Sequence, residues 1–240
     1  MGSGLVVLRE GFEASLVVAI VLAFLDRSKR RDGFVAVWAG VIGALLVSAC
    51  VGVTLFAIGA ELEGTSEYLF EGITTITAAC MLVWMIFWMR GRARSIRGDL
   101  EGQVTSAVAA GSALGLAAVA FVGVLREGVE TSLFLFSTTQ KSSTLVSFVS
   151  ALIGLAAAVG LGYAFYRGSH RLDLRRFFTV TSGLLLVFAG WLLAKGLEEL
   201  AEAGVVPENE LALWGAFVAL AAPTLYFFFR PRRRTTAVSA

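Results

Sequence analysis

Long apolar runs alternate with short polar breaks along the whole chain. Seven runs of about 20 residues or more occur, at about 5–25, 34–58, 69–89, 106–137, 144–166, 177–197 and 211–229. A helix rising 1.5 Å per residue needs about 20 apolar residues to cross a hydrocarbon layer about 30 Å thick. The breaks are short and polar, as a bundle with tight loops requires, and no extramembrane domain fits in the remainder. The pattern predicts an all-α polytopic membrane protein, with seven transmembrane helices in a single domain over residues 1–240.

Composition narrows the class. Of 240 residues, 57% are apolar and 16% charged, against roughly 25% charged in an ordinary soluble chain, and mean hydropathy is +0.79. So few charges cannot solvate a globular surface, which excludes a soluble nucleic-acid module and a disordered chain. Cys50 and Cys80 lie in apolar runs without CxxC spacing, and His170 is the single histidine. Thiolate or multi-imidazole metal sites and a disulfide scaffold are therefore excluded.

Charge placement predicts orientation. Sixteen of the twenty basic residues fall in groups of four, opening at Arg27, Arg90, Arg167 and Arg230, after the first, third, fifth and seventh runs. Basic loops stay in the cytoplasm, so the N-terminus is expected outside and the C-terminus inside a cytoplasmic membrane. Trp38, Trp84, Trp88, Tyr163, Tyr166 and Tyr226 fall near cytoplasmic ends, and Tyr68 and Trp214 near outer ends, as an interfacial belt predicts. Residues 1–25 lack a basic n-region and carry Arg9, Glu10 and Glu13, so no cleaved signal peptide is expected. The basic tail Arg230–Arg234 reads as an anchor at anionic headgroups.

Six charges lie inside the runs, in two copies of one pattern: Arg9-Glu10-Gly11-Phe12-Glu13 and Arg126-Glu127-Gly128-Val129-Glu130. The second copy lies three runs after the first, an odd step, so the copies enter the membrane from opposite sides. This predicts an inverted repeat of three helices plus three, about 5–89 and 106–204, with one additional helix at about 211–229. Such repeats place a substrate site where they meet, near the midplane. Each buried charge costs about 2.5–3.5 kcal/mol on insertion scales. Within each motif the two glutamates share a helical face, and the arginine stands four residues before the last one, where it can pair. Four carboxylates without thiolate or imidazole make a hard oxygen site, suited to magnesium, calcium, manganese or ferric iron. The alternative is a pair of ion-pair staples locking the first and fourth helices together.

Nine of the eighteen acids flank the second, third and sixth runs at the predicted outer face. Most simply complement the basic loops. Glu71 and Glu198, at the edges of apolar runs, are candidates for a cation-collecting mouth, with Glu199 beside them and Lys195 within pairing reach. Small residues at four-residue spacing, Ala107-Gly111-Gly115 and Gly154-Ala158-Gly162, predict close helix contacts.

With these motifs the sequence resembles the oxidase-dependent iron permease family, in its bacterial EfeU-type form. The resemblance rests on both R-E-G-x-E copies, on Phe70-Glu71-Gly72 opening a run that ends Trp84-Met85-Ile86-Phe87-Trp88-Met89, and on Leu193-Ala194-Lys195-Gly196 leading into Glu199-Leu200 and Glu202-Ala203-Gly204. It implies a permease importing iron that an extracytoplasmic oxidase or peroxidase delivers in the ferric state, with an iron-binding protein as a further partner. The family's motif glutamates map to Glu10, Glu13, Glu127 and Glu130, with Arg9 and Arg126 as their ion-pair partners. Family members often carry a histidine where Glu198 stands, so a carboxylate would replace it here. Iron would be the transported substrate, with no resident cofactor and no enzymatic activity. The alternative is a proton-coupled carrier of another cation or small solute, using the same glutamates as relay groups.

Overall fold

A computed structural model describes residues 2–92, 96–139, 144–167 and 174–206, with single positions 215, 218 and 222. Among the described residues every element is helical. These are α1 (Gly2–Arg27), a 3₁₀ turn (Arg31–Gly33), α2 (Phe34–Glu61), α3 (Thr65–Arg92), α4 (Ile96–Ala109), α5 (Ala113–Thr139), α6 (Thr144–Tyr166) and α7 (Leu174–Glu202). Helices α2, α3, α6 and α7 are long and apolar enough to cross a membrane. Helices α1 and α5 are as long, but each carries a charged motif. The expected helix at 211–229 lies almost wholly outside the described residues, as does the basic tail.

The fourth run differs from its expectation. In place of one helix over 106–137, α4 ends at Ala109 and α5 begins at Ala113. Gly111 adopts a left-handed φ of +62°. Its N–H bonds the Val108 carbonyl, and the Ser112 N–H bonds the Ala107 carbonyl, closing a Schellman cap on α4. Ser112 then caps α5, its Oγ accepting from the Gly115 N–H at 2.9 Å. Gly111 therefore stops a helix instead of packing against one. The Gly111-Ser112 pair is the capping signal, set within a long run of small and apolar residues.

Close-packed pairs build the centre. α1 packs most extensively on α6, α2 on α5 and α3 on α7, while α1 also lies along α5. Glycines set these distances. A Cβ on Gly154 would run into the Gly4 carbonyl, and one on Gly11 would lie 3.0 Å from the Ala158 Cβ. On the other pair, a Cβ on Gly40 would run into the Ala117 carbonyl, and one on Gly128 would lie 2.7 Å from the Ser48 Cβ. One turn further on, Gly162 meets Ser15 and Gly52 meets Ser132. The expected contact stripe Gly154-Ala158-Gly162 thus faces α1. Each motif helix is clasped at its motif glycine, α1 by α6 and α5 by α2.

Helices α1 and α5 run antiparallel: Ser3 Oγ, near the start of α1, donates to Thr138 Oγ1, near the end of α5, at 3.1 Å. This end of the bundle also holds Glu61, Glu63 and Glu67. The opposite end holds Arg27, Lys29, Arg30 and Arg31. Toward the basic end, Val21, Leu22 and Leu25 of α1 form a dry cluster with Val37, Val41 and Ala44 of α2, Val104 of α4 and Leu116, Ala120 and Val124 of α5. Toward the acidic end a second cluster joins Val6, Ala78, Leu82, Ile86, Phe134, Leu185, Leu186 and Ala189.

The outer surface is apolar: Val35, Ile42, Leu46 and Val53 on α2, and Leu145, Phe148, Leu152 and Ile153 on α6, are all exposed. Charge is inside and hydrocarbon outside, which only a lipid solvent favours. The chain is an integral membrane protein.

Candidate functional site

The two R-E-G-x-E copies meet between the apolar clusters. Arg9, Glu10, Glu13, Glu127 and Glu130 are all buried. One helical turn joins the arginine to the last glutamate in each copy. Arg9 Nε donates to Glu13 Oε1 at 3.1 Å, and Arg126 Nε donates to Glu130 Oε1 at 3.0 Å. With these pairs made, Glu10 and Glu127 are the motif glutamates left without an arginine hydrogen bond.

Glu10, Glu127 and Glu130 each bring a carboxylate oxygen within 4.8 Å of the others. Both oxygens of Glu10, Oε2 of Glu127 and Oε2 of Glu130 are buried without a hydrogen-bond partner in the protein. Burying unpartnered carboxylate oxygens is costly, and a cation among them offsets that cost directly. The donor set is all oxygen and all anionic, which favours a hard cation. Of the four motif glutamates expected to converge, three form this group, while Glu13 lies beside it, held by Arg9.

The two halves are not equivalent. The Arg9 side chain is wholly buried, whereas that of Arg126 is 44% exposed. Arg9 Nη2 reaches Met89 Sδ at 3.7 Å, and the Arg126 guanidinium lies 4.8 Å above the Trp88 ring. Its sequence position puts Trp88 in an interfacial belt, yet it meets an arginine midway along α5. At the other end of α3, Phe70 packs on Phe136 of α5 with ring centroids 5.5 Å apart, so α3 meets α5 near both of its ends. No pattern in the sequence encodes that pairing.

The proposed mouth residues divide. Glu71 and Glu199 are buried, and so is Lys195, while Glu198 is exposed. Their placement follows from the α3–α7 contact, where a Cβ on Gly72 would lie 3.0 Å from the Gly196 carbonyl and 2.9 Å from Leu200 side-chain atoms. The Lys195 ammonium sits 5.8 Å from the Trp191 ring centre. The apolar cluster around Leu82 and Phe134 lies on the stretch of α3 and α7 between this group and the motif glutamates, so the two acidic groups are separate.

Apolar contacts bound the motif site along α1 and α5. On the acidic side Val6 packs with Phe134. On the basic side a Cβ on Gly123 would lie 2.8 Å from Val17 Cγ1.

A lipid-embedded bundle with convergent carboxylates at its centre has the form of a membrane transport protein. Residues 1–215 match the Iron permease FTR1 family, and the chain belongs to that family. It is 36% identical over 203 residues to the "Ferrous iron permease EfeU" of Yersinia pestis, covering 84% of this chain and 72% of that protein. It is likewise 36% identical over 219 residues to the protein of the same name from Escherichia coli O6:H1, covering 90% of this chain and 76% of the relative. No solved structure matches the chain.

Proposed function

We propose that this protein is a permease importing iron across the bacterial cytoplasmic membrane, with Glu10, Glu127 and Glu130 as the transient iron ligands. The observation that carries this reading is the convergence of three buried carboxylates, drawn from two copies of one motif, with oxygens that no protein donor satisfies. Membership in an iron permease family supplies the ion. The relatives are named for ferrous iron. The ferric state is favoured here because hard, all-oxygen donors prefer it. An extracytoplasmic oxidase or peroxidase, with an iron-binding protein, would then supply the ion.

Iron enters from the acidic end, near Glu71 and Glu199, and reaches the motif site past Phe134. Arg9 and Arg126 hold Glu13 and Glu130 and limit the local negative charge, so that the ion binds and still leaves. Release toward the basic end requires α1 and α5 to part at Val17 and Gly123. The basic end faces the cytoplasm in this reading, with the N-terminus outside. The exchange of partners, α1 on α6 and α5 on α2 with matching registers at Gly11 and Gly128, supports an inverted repeat. In this reading the site lies at the repeat interface, where such transporters bind substrate.

The test is iron uptake by cells expressing Glu10→Ala or Glu127→Gln at normal membrane levels, with iron offered separately as ferric and ferrous salts. Uptake is expected to fall at least about tenfold, as loss of a buried charged ligand worth about 1.5–3 kcal/mol implies. Undiminished uptake removes these carboxylates from the pathway, and uptake of ferrous iron alone removes the ferric assignment.

A further inference from the structure

Helix α3 contributes no carboxylate to the motif site, yet its last turns touch both motif arginines through adjacent residues. Met89 Sδ accepts from Arg9 Nη2 at 3.7 Å, and the Trp88 ring lies under the Arg126 guanidinium at 4.8 Å. Neighbouring residues on a helix point about 100° apart, which lets one turn of α3 reach α1 with one side chain and α5 with the other. Each arginine is thereby gripped twice: Nε by its own glutamate, and the far side of the guanidinium by α3.

We infer that Trp88 and Met89 are positioning residues that hold the two motif arginines on Glu13 and Glu130 and away from Glu10 and Glu127, the two ion-binding carboxylates that neither arginine pairs with. The proposal rests on the permease reading above. An arginine released from α3 keeps its flexible stem and can turn its free N–H groups toward Glu10 or Glu127, whose buried oxygens lack donors. There it competes with the transported cation as a tethered rival of the same charge sign. Arg126 depends on this grip more than Arg9, because its side chain is 44% exposed and packing alone does not fix it. An aromatic face is well matched to such a grip. It attracts the guanidinium without a hydrogen-bond acceptor that would fix it permanently or add negative charge.

The signature is a change in apparent iron affinity at constant maximal rate. Trp88→Leu keeps an apolar side chain and removes the π face, and Trp88→Phe restores a π face on a smaller ring. For Trp88→Leu the KM for radioactive ferric iron uptake is expected to rise about threefold to tenfold, the range that a partly desolvated cation–π contact supplies. Its maximal rate should stay near wild type, and Trp88→Phe should recover most of the affinity. Met89→Leu, which removes the sulfur acceptor at similar volume, should shift KM in the same direction.

Glu10→Ala is measured alongside. Uptake lost in Glu10→Ala but a wild-type KM in Trp88→Leu overturns the positioning role alone. A defect in Trp88→Phe as large as in Trp88→Leu also overturns it, since ring shape and not the π face is then what matters. Undiminished uptake in Glu10→Ala overturns the site and the positioning role together. Should Trp88→Leu fail to reach the membrane, Trp88→Met carries the same expectation and the same overturning results.

Discussion

The two motif arginines have closely matching sequence surroundings and different environments. Arg9 is wholly enclosed beside Glu13, and Arg126 opens on one side. Removing either arginine strands a buried glutamate, a loss of about 3–5 kcal/mol, but removing the wholly enclosed Arg9 side chain also leaves a cavity, which the half-open Arg126 does not. Arg9→Ala should therefore lower the melting temperature of the detergent-solubilised protein more than Arg126→Ala. Equal losses would mean that the two pairs share one environment. The pairing itself was legible in the sequence, because i and i+4 positions on a helix must neighbour one another. Their unequal burial was not, since it depends on which helix covers each motif.

At the scale of the helices, glycine acts by admitting a neighbouring backbone. Gly40 faces the Ala117 carbonyl, while Gly102 on α4 has nothing within 4 Å. Gly40→Ala should destabilise the protein by about 1–3 kcal/mol, as overpacking does. Gly102→Ala should stabilise it by about 0.5–1 kcal/mol through lower backbone entropy in the unfolded chain. Thermal unfolding of the two variants tests both signs, and a neutral Gly40→Ala would contradict the close α2–α5 approach. Helix lengths were readable from apolar runs because the hydrocarbon layer fixes them. The break at Gly111 was not, because a glycine–serine pair inside a long apolar run is also compatible with an unbroken, closely packed helix, and φ and hydrogen bonding decide between the two. The position of Trp88 was hidden for a related reason: distance from a run's end says nothing of which neighbouring helix the ring faces.

Across the whole molecule, the motif site lies between two apolar contacts on the same helix pair, so the proposed passage would need α1 and α5 to move apart at each in turn. Ser3 and Thr138 join those helices at the acidic end. In a protein with Cys50 and Cys80 replaced by alanine, a Ser3→Cys, Thr138→Cys pair should oxidise to a disulfide, since hydroxyl oxygens 3.1 Å apart imply compatible Cβ positions. The bridge should stop iron uptake until it is reduced. Free uptake by the oxidised protein would show that this end stays fixed during transport.

The membrane setting, the helix lengths, the two charged motifs and the ion-pair partner within each are all written into the order of the residues. They follow from local rules: a fixed hydrocarbon thickness, a fixed helical period and the cost of an unpaired charge in lipid. Packing in three dimensions was needed to bring three of the four motif glutamates together, to turn Glu199 inward in place of Glu198, and to let α3 reach both arginines. Those outcomes depend on helix rotation and crossing angle, which are set by how glycines and side chains of distant segments fit together.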